Sequence, residues 1–172
     1  MAEPRSPYPP DVDEEAVAPD GLGDLVDVVA ENHDWSNARA ARSSIRRVEL
    51  RLCRLTGVEL AESELSDVVF ADCRLDLAGL RFAKLERVVF RDCRMTECDL
   101  YGATLEDVVF ERCELREATL AEAAVRRVDL LGCELAGLIG AEALRGARMP
   151  WDDVLQSGPL FAAALGIEIL DD

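Results

Sequence analysis

The chain has 172 residues, of which 35 are acidic and 19 are basic, so its net charge at neutral pH is −16. This length fits one domain, and the acidic balance argues against direct binding of nucleic acid, because a phosphate backbone requires clustered Lys and Arg. No apolar run approaches the roughly 20 residues that span a bilayer, and no secretory signal opens the chain. The sequence therefore predicts a cytoplasmic protein without a membrane segment.

Residues 1–22 hold most of the prolines and many acidic side chains. Such segments bury too little apolar surface to offset the entropy of ordering. We therefore expect residues 1–22 to form a disordered acidic tail.

An apolar residue recurs at every fifth position from Ile45 to Leu135, nineteen times without a failure, and a small or modest side chain lies two residues before each. A period of five is neither the 3.6 of a helix nor the 2 of a strand. The chain must therefore turn after every five residues and return the same two positions to the interior.

A second period of twenty is superimposed on the first. The triplet Val-Val-Phe occurs at 68–70, 88–90 and 108–110. Cysteines also recur twenty apart, at Cys53, Cys73, Cys93, Cys113 and Cys133. Four groups of five residues would complete one coil, and equivalent residues of stacked coils would lie about 4.8 Å apart.

Charges follow the same twenty-residue period with alternating sign. We call these residues the charge ladder: Asp27, Arg47, Asp67, Arg87, Asp107 and Arg127. In a twenty-residue coil each charge would lie between two opposite ones. The ladder is predicted to be structural, since a slip of one coil would pair like charges.

The pattern in Ala83-Lys84-Leu85, Cys98-Asp99-Leu100 and Ala103-Thr104-Leu105 resembles the bacterial pentapeptide-repeat proteins. The resemblance implies an all-β solenoid, a right-handed quadrilateral β-helix, over residues 23–147 with a degenerate first coil. That family favours Asp or Asn before the central Leu, whereas this chain has Arg54, Glu64 and Val69 at such positions. The outer surface is therefore individual to this protein.

The repeat fails near Gly140, and residues 148–172 are predicted to form a short helical C-terminal cap. Trp151, Val154 and Leu155 have helical spacing, and Asp152 and Asp153 suit a helix N-terminus. We expect this cap to cover the open edge of the β-helix, which would otherwise promote aggregation.

The sequence indicates no catalytic, metal-binding or cofactor-binding residues, and it predicts that the protein is not an enzyme. The one histidine, His33, falls on an inward position of the degenerate coil, and all six cysteines fall on inward positions. We expect the cysteines to be buried thiols. The carboxylates lie in outward columns, where no cleft is evident to shift their pKa values.

Valines share one outer column just before the central residue. They either pack as β-branched residues on a strand-like face or form an apolar stripe for a partner. The candidate interaction stripe comprises Val69, Val89, Val109, Arg91 and Glu111.

The leading hypothesis is a non-catalytic protein-interaction module with an unidentified protein partner, acting as a monomer or an end-to-end homodimer. The alternative is a DNA-mimic modulator or protector of DNA gyrase, because some pentapeptide-repeat proteins resemble a DNA duplex and protect type II topoisomerases from quinolones. Residues 28–147, however, carry 22 acidic and 17 basic side chains, so most of the net charge lies in the two ends. A DNA mimic requires a continuous negative potential along its length.

Overall fold

The computed structural model describes residues 2–11 and 21–170, and within them it has one parallel sheet whose six strands follow one another in chain order. The strands are β1 (Leu25–Glu31), β2 (Ser44–Arg51), β3 (Glu64–Ala71), β4 (Lys84–Arg91), β5 (Thr104–Glu111) and β6 (Ala124–Leu131). Neighbouring strands pair residues twenty apart, as in Leu65 with Leu85 and Phe70 with Phe90. The predicted coil of twenty residues is therefore confirmed.

The chain turns at a residue of positive φ at every fifth position from Asp27 to Gly137. Most of these corner residues are not glycine, although L-residues disfavour this left-handed region. Hydrogen bonds between coils hold them there, since the N–H of Asn37 donates to the carbonyl of Thr56 at 2.8 Å and that of Gly57 to the carbonyl of Asp76 at 2.8 Å. The five-residue period in the sequence therefore corresponds to one corner of the coil every five residues.

Each strand spans two sides of the coil and bends at a corner residue, which in β3 is Asp67 and in β4 is Arg87. The other two sides are joined by single parallel bridges, such as Arg54 with Arg74 and Glu59 with Gly79. The coil therefore has four sides of five residues. This confirms the predicted fold class, an all-β solenoid of the four-sided β-helix type.

The interior is filled by stacked identical or similar side chains. Phe70, Phe90 and Phe110 are buried and stack with ring centroids 4.8 and 5.1 Å apart. The cysteines are free thiols, buried except for the half-buried Cys133. Burial raises the pKa of the Cys98 thiol, so that side chain is a neutral packing group.

The first coil is closed by small and aromatic residues. Ala30, Trp35 and Ala40 are buried at the central positions. The half-buried His33 has its ring 4.9 Å from that of Trp35, and its Nδ1 lies 2.9 Å from the carbonyl oxygen of Glu31. His33 therefore packs against Trp35 at the end of the solenoid.

The regular coils end at Gly140, which has φ 80°. A Cβ atom at this position would lie 2.3 Å from the backbone nitrogen of Ala121, so only glycine fits. A 3₁₀ turn, Ala141–Leu144, follows, and the chain then returns to the sheet where Arg148 N–H donates to the Val128 carbonyl at 2.9 Å. Strand pairing thus extends one residue beyond the predicted boundary at residue 147.

Two short helices follow, α1 (Trp151–Gln156) and α2 (Gly158–Ala164). Leu160, Phe161 and Ala164 are partly buried against the core. The predicted helical C-terminal region is therefore present, and α2 packs on the end of the solenoid.

Residues 2–11, which were expected to be disordered, lie along the outside of the strands and hydrogen-bond to three different coils. The proline content explains the difference, because prolines restrict the unfolded chain and so reduce the entropy lost on ordering. Residues 1 and 12–20 of the predicted tail lie outside the described residues.

Replacing Arg87 with Gln should destabilise the fold by about 2 kcal/mol, because it leaves the Asp67 carboxylate, whose side chain is 9% exposed, without its charged partner. The matched variant Arg112→Gln removes a similar pair with Asp92 whose side chains are 53% and 37% exposed. That variant should lose less than about 1 kcal/mol. Urea denaturation measures both, and equal losses would contradict the structural importance of the ladder.

Candidate interaction surface

The charge ladder forms three ion pairs at the bend of the strands. Arg87 Nε and Nη2 donate to the two carboxylate oxygens of Asp67 at 2.6 and 2.9 Å. Arg47 binds Asp27 and Arg127 binds Asp107 in the same two-pronged way. Among the ladder residues of the described chain, hydrogen bonds join each arginine to the aspartate of the preceding coil and not to that of the following coil, because two donors of the planar guanidinium bind one carboxylate. The inner charges of the ladder therefore lie between two opposite ones, as expected, and each arginine forms its two-pronged pair with one of them.

The pairs of Asp67 and Asp107 are shielded from water, whereas the pair of Asp27 with Arg47 is partly exposed. The side chain of Asp107 is fully buried, and that of Asp67 is nearly so. Hydrogen bonds from Arg127 hold the pKa of Asp107 well below its usual range. For Asp67, burial favours the neutral acid, but hydrogen bonds from Arg87 and from the backbone of Tyr8 outweigh it and keep the pKa lowered. Both carboxylates are therefore ionised acceptors.

The same carboxylates bind the N-terminal segment, residues 2–11. The backbone N–H groups of Arg5, Tyr8 and Asp11 donate to Asp107, Asp67 and Asp27 respectively, each at 3.0 Å. The side chain of Arg5 adds a second bond, from Nε to Asp107 Oδ2 at 2.8 Å. The segment therefore runs along the solenoid in the direction opposite to the coil order.

The contacts of the N-terminal segment repeat every three residues. Pro4, Pro7 and Pro10 are half-buried, whereas the residues between them are exposed. A spacing of three is that of polyproline II, which rises about 9.3 Å per three residues. Two coils of the solenoid rise about 9.6 Å, so the segment advances by two coils for every three residues.

The segment lies beside the predicted stripe. Residues 6–10 and the strand residues Val48, Glu49, Asp67, Val69, Val89 and Arg91 line a groove of about 280 Å³. The three valines of the stripe are adjacent in the sheet, since Val69 pairs with Val89 and Val89 with Val109, and each is half-buried. The structure thus brings the stripe together, with the N-terminal segment against its first two valines.

Two charged residues complete the stripe. Arg91 Nε donates to Glu111 Oε2 at 2.8 Å, and the two residues are neighbours on β4 and β5. Hydrogen bonds from Arg91 and Arg112 lower the pKa of Glu111. Above the groove, the guanidinium of Arg87 lies 5.6 Å from the centre of the Tyr8 ring. Ion pairs and an aromatic side chain therefore border the valines.

Sequence reasoning missed the N-terminal segment as part of this surface. The available signal was the spacing of Pro4, Pro7 and Pro10, which matches polyproline II. It also missed a cluster on another corner, where Phe82 and Tyr101 meet edge to face at 5.6 Å and the Arg81 guanidinium lies 4.6 Å from the Tyr101 ring.

The C-terminal end of the solenoid exposes several large apolar side chains: Trp151, Leu155, Leu165, Ile167, Ile169 and Leu170. An end-to-end homodimer would cover this surface. The choice between a monomer and such a dimer stays a prediction from the sequence.

The cavity beside the C-terminal helices is lined by few groups that could bind or react with a ligand. A pocket of about 490 Å³ between the last coil and the helices is lined by Cys133, Leu135 and Leu160, and its acidic residue Glu134 is paired with Arg116. Across residues 2–11 and 21–170, no three His, Cys, Asp or Glu side chains are grouped to hold a metal ion. In that same part of the chain, no helix has the length and apolar character to cross a membrane.

Comparison with known proteins agrees with this architecture. Residues 43–120 match the family model of a pentapeptide repeat region. The chain is similar to the crystal structure of a pentapeptide repeat protein from the Arabidopsis thaliana thylakoid lumen, with 22% identity over 60% of this chain and 69% of that one and a TM-score of 0.53. It is also similar to a trypsin-treated form of QnrB1, a plasmid-mediated fluoroquinolone resistance protein, with 19% identity over 87% and 98% of the two chains and a TM-score of 0.42.

At these identities the pentapeptide-repeat likeness supports the fold alone. No curated protein sequence matches the chain significantly. The surface must therefore be interpreted from its own residues.

Acid should weaken the ladder and release the N-terminal segment. Hydrogen bonds from Arg47 and from the backbone of Asp11 lower the pKa of Asp27 from 3.8 to about 2, and the pKa values of Asp67 and Asp107 are also lowered. A group whose pKa is lowered by folding contributes stability above its unfolded pKa and loses it as the pH falls through the folded value. Stability should therefore be constant above about pH 5 and should fall from about pH 4 toward pH 2.

Urea midpoints measured across this range test the prediction. The double variant Asp67→Asn and Asp107→Asn lacks two of the three ladder carboxylates, so its acid dependence should be shallower. A wild-type midpoint that is unchanged down to about pH 2 would show that the ladder carboxylates are not coupled to folding.

Proposed function

We propose that this protein is a non-catalytic protein-interaction module that binds its partner through the strand side of the β-helix. The supporting observation is that Asp27, Asp67 and Asp107 accept backbone N–H groups from an extended segment outside the sheet. Ionised carboxylates at regular spacing, two of them buried, are suited to binding an extended polypeptide, because charge-assisted hydrogen bonds to backbone N–H groups are among the stronger ones.

The stripe provides the apolar part of this surface. Val69, Val89 and Val109 form a continuous row, and the Arg91–Glu111 ion pair borders it. Apolar side chains with a polar rim are the usual composition of a protein interface. The interior of the coils is filled by side chains, so the outer surface carries the proposed function.

The double variant Val69→Asp and Val89→Asp should weaken partner binding. A carboxylate at the centre of the contact would be desolvated without a counter-charge, which should reduce affinity by at least about tenfold. Affinity purification from the host, quantified against wild type, measures the loss. Leu77→Asp is the matched control, since Leu77 is 56% exposed at a corner residue outside the stripe. Equal recovery by the double variant and the control would refute the proposed surface.

The alternative function, modulation of a type II topoisomerase by DNA mimicry, is favoured by the net charge of −16. The distribution of charge opposes it. Arginines of the ladder alternate with aspartates along the strand side, and further arginines pair with acidic residues of neighbouring coils, as Arg112 does with Asp92. Arginines that pair with acidic residues interrupt the continuous negative potential that a DNA mimic would need.

We therefore expect no effect of the purified protein at micromolar concentration on supercoiling by DNA gyrase, with or without a fluoroquinolone. A buffer blank and a gyrase reaction inhibited by the drug alone provide the controls. Inhibition, or protection from the drug, would favour the topoisomerase alternative over a different protein partner. The cytoplasmic location and the identity of the partner stay predictions from the sequence.

A further inference from the structure

We propose that the groove beside the ladder is a binding site for proline-rich extended segments with prolines three residues apart, and that a partner's segment binds there by displacing residues 2–11. This rests on the proposed function, because the ligand is a segment of a partner protein. The N-terminal segment, which we call the resident segment, then occupies the groove in the absence of a partner's proline-rich segment.

The first argument is the match of two periods. The ladder offers a carboxylate on every second coil, at intervals of about 9.6 Å, because Arg47 and Arg87 occupy the coils between. A polyproline II peptide presents equivalent N–H groups about every 9.3 Å. A column with aspartate on every coil would contain these acceptors too, but it would also place like charges about 4.8 Å apart, which is destabilising. The alternation of sign therefore sets a spacing that fits this backbone conformation.

The second argument is the order of residues within each repeat of three. A half-buried proline comes first, at Pro4, Pro7 and Pro10, and the residue after it donates its N–H to the ladder. The third position, at Ser6 and Pro9, is exposed and makes no hydrogen bond to the ladder. Proline lacks an N–H, and Pro9 occupies a position where none is used. The site therefore selects a repeat of proline, any residue except proline, then any residue.

The third argument is that binding in the groove depends little on the particular side chains of the N-terminal segment. Tyr8 is 65% exposed and the Arg5 side chain 59% exposed, and the regular contacts are backbone N–H groups and proline rings. The side-chain contacts are the ion pairs of Glu3 and Arg5 and the Tyr8 ring 5.6 Å from the Arg87 guanidinium. A partner's segment with the same repeat would make the same contacts. Because the resident segment is tethered, its effective concentration is about millimolar, so weakening it should expose the site.

A partner is favoured over exchange of segments between two copies. The chain's own segment already reaches Asp27, Asp67 and Asp107. Exchange would form these same contacts and add none, while losing the advantage of the tether.

The experiment uses the full-length chain and a fluorescein-labelled peptide of residues 2–11, with binding measured by fluorescence anisotropy. The variant Tyr8→Pro removes the N–H that binds Asp67, together with the ring that lies 5.6 Å from the Arg87 guanidinium, and so weakens the resident segment. The matched variant Ser6→Pro also adds a proline, but at a position whose N–H the ladder does not use. The peptide should bind Tyr8→Pro at least about tenfold more tightly than wild type, and Ser6→Pro within about threefold of wild type.

The peptide itself is tested in the same way against the Tyr8→Pro chain. A peptide with Tyr8→Pro should lose at least about tenfold in affinity, and one with Ser6→Pro should retain it. On the protein, adding Asp67→Asn to Tyr8→Pro should weaken binding, whereas adding Asp92→Asn, at a corner away from the groove, should not. Circular dichroism of each variant confirms that it is folded.

Failure of the wild-type peptide to bind the Tyr8→Pro chain at millimolar concentration would overturn the proposal, as would equal binding of a peptide with its prolines out of phase. A wild-type dimer that Tyr8→Pro dissociates would assign the groove to a second copy of the chain and would also overturn it. None of these results touches the proposed function, which fails only if Val69→Asp and Val89→Asp leave partner recovery unchanged.

Discussion

The backbone hydrogen bonds that join each coil to the next are the constraint on which the rest of the structure depends. They pair residues twenty apart, for example Leu85 with Leu105, and hold residues of positive φ at the corners. Every side chain is therefore placed about 4.8 Å from its equivalents above and below. Inside, this spacing suits stacked rings and small thiols, as in the column from Phe70 to Phe110. Outside, it would place like charges next to one another, as at Arg54 and Arg74. Such neighbours are destabilising, and the charge ladder avoids them by alternating in sign.

The ladder resolves this constraint with three arginine–aspartate pairs. Each guanidinium donates two hydrogen bonds to one carboxylate, and in all three pairs that carboxylate belongs to the preceding coil. Each aspartate therefore retains lone pairs that can accept a further hydrogen bond. Asp67 and Asp107 are almost completely buried and ionised, and an additional backbone N–H is therefore favourable at each. The bound N-terminal segment follows from the way the ladder satisfies its own charges.

The sequence predicted the coils and the core well, because a period of five carried from Ile45 to Leu135 is compatible with only one kind of path. It also placed Val69, Val89 and Val109 in one column, which their pairing confirms. It was wrong about residues 2–11, since an argument from composition averages over a segment and ignores the spacing of Pro4, Pro7 and Pro10. The direction of the ion pairs and the Phe82–Tyr101 contact depend on side-chain conformations, which a linear period does not encode.

Because its interior is filled, the solenoid can recognise a ligand only at its outer surface. There, equivalent residues of successive coils lie at a fixed spacing. Among the regular backbone conformations, polyproline II matches this spacing, because three of its residues rise only about 0.3 Å less than two coils do. A β-strand advances about 10 Å in three residues, but successive residues point to opposite faces, so its N–H groups would alternate between facing the ladder and facing away. An α-helix has a pitch of 5.4 Å, and its N–H groups are used internally. The alternation of charge that keeps the coils in register therefore also determines which backbone conformation the surface can bind.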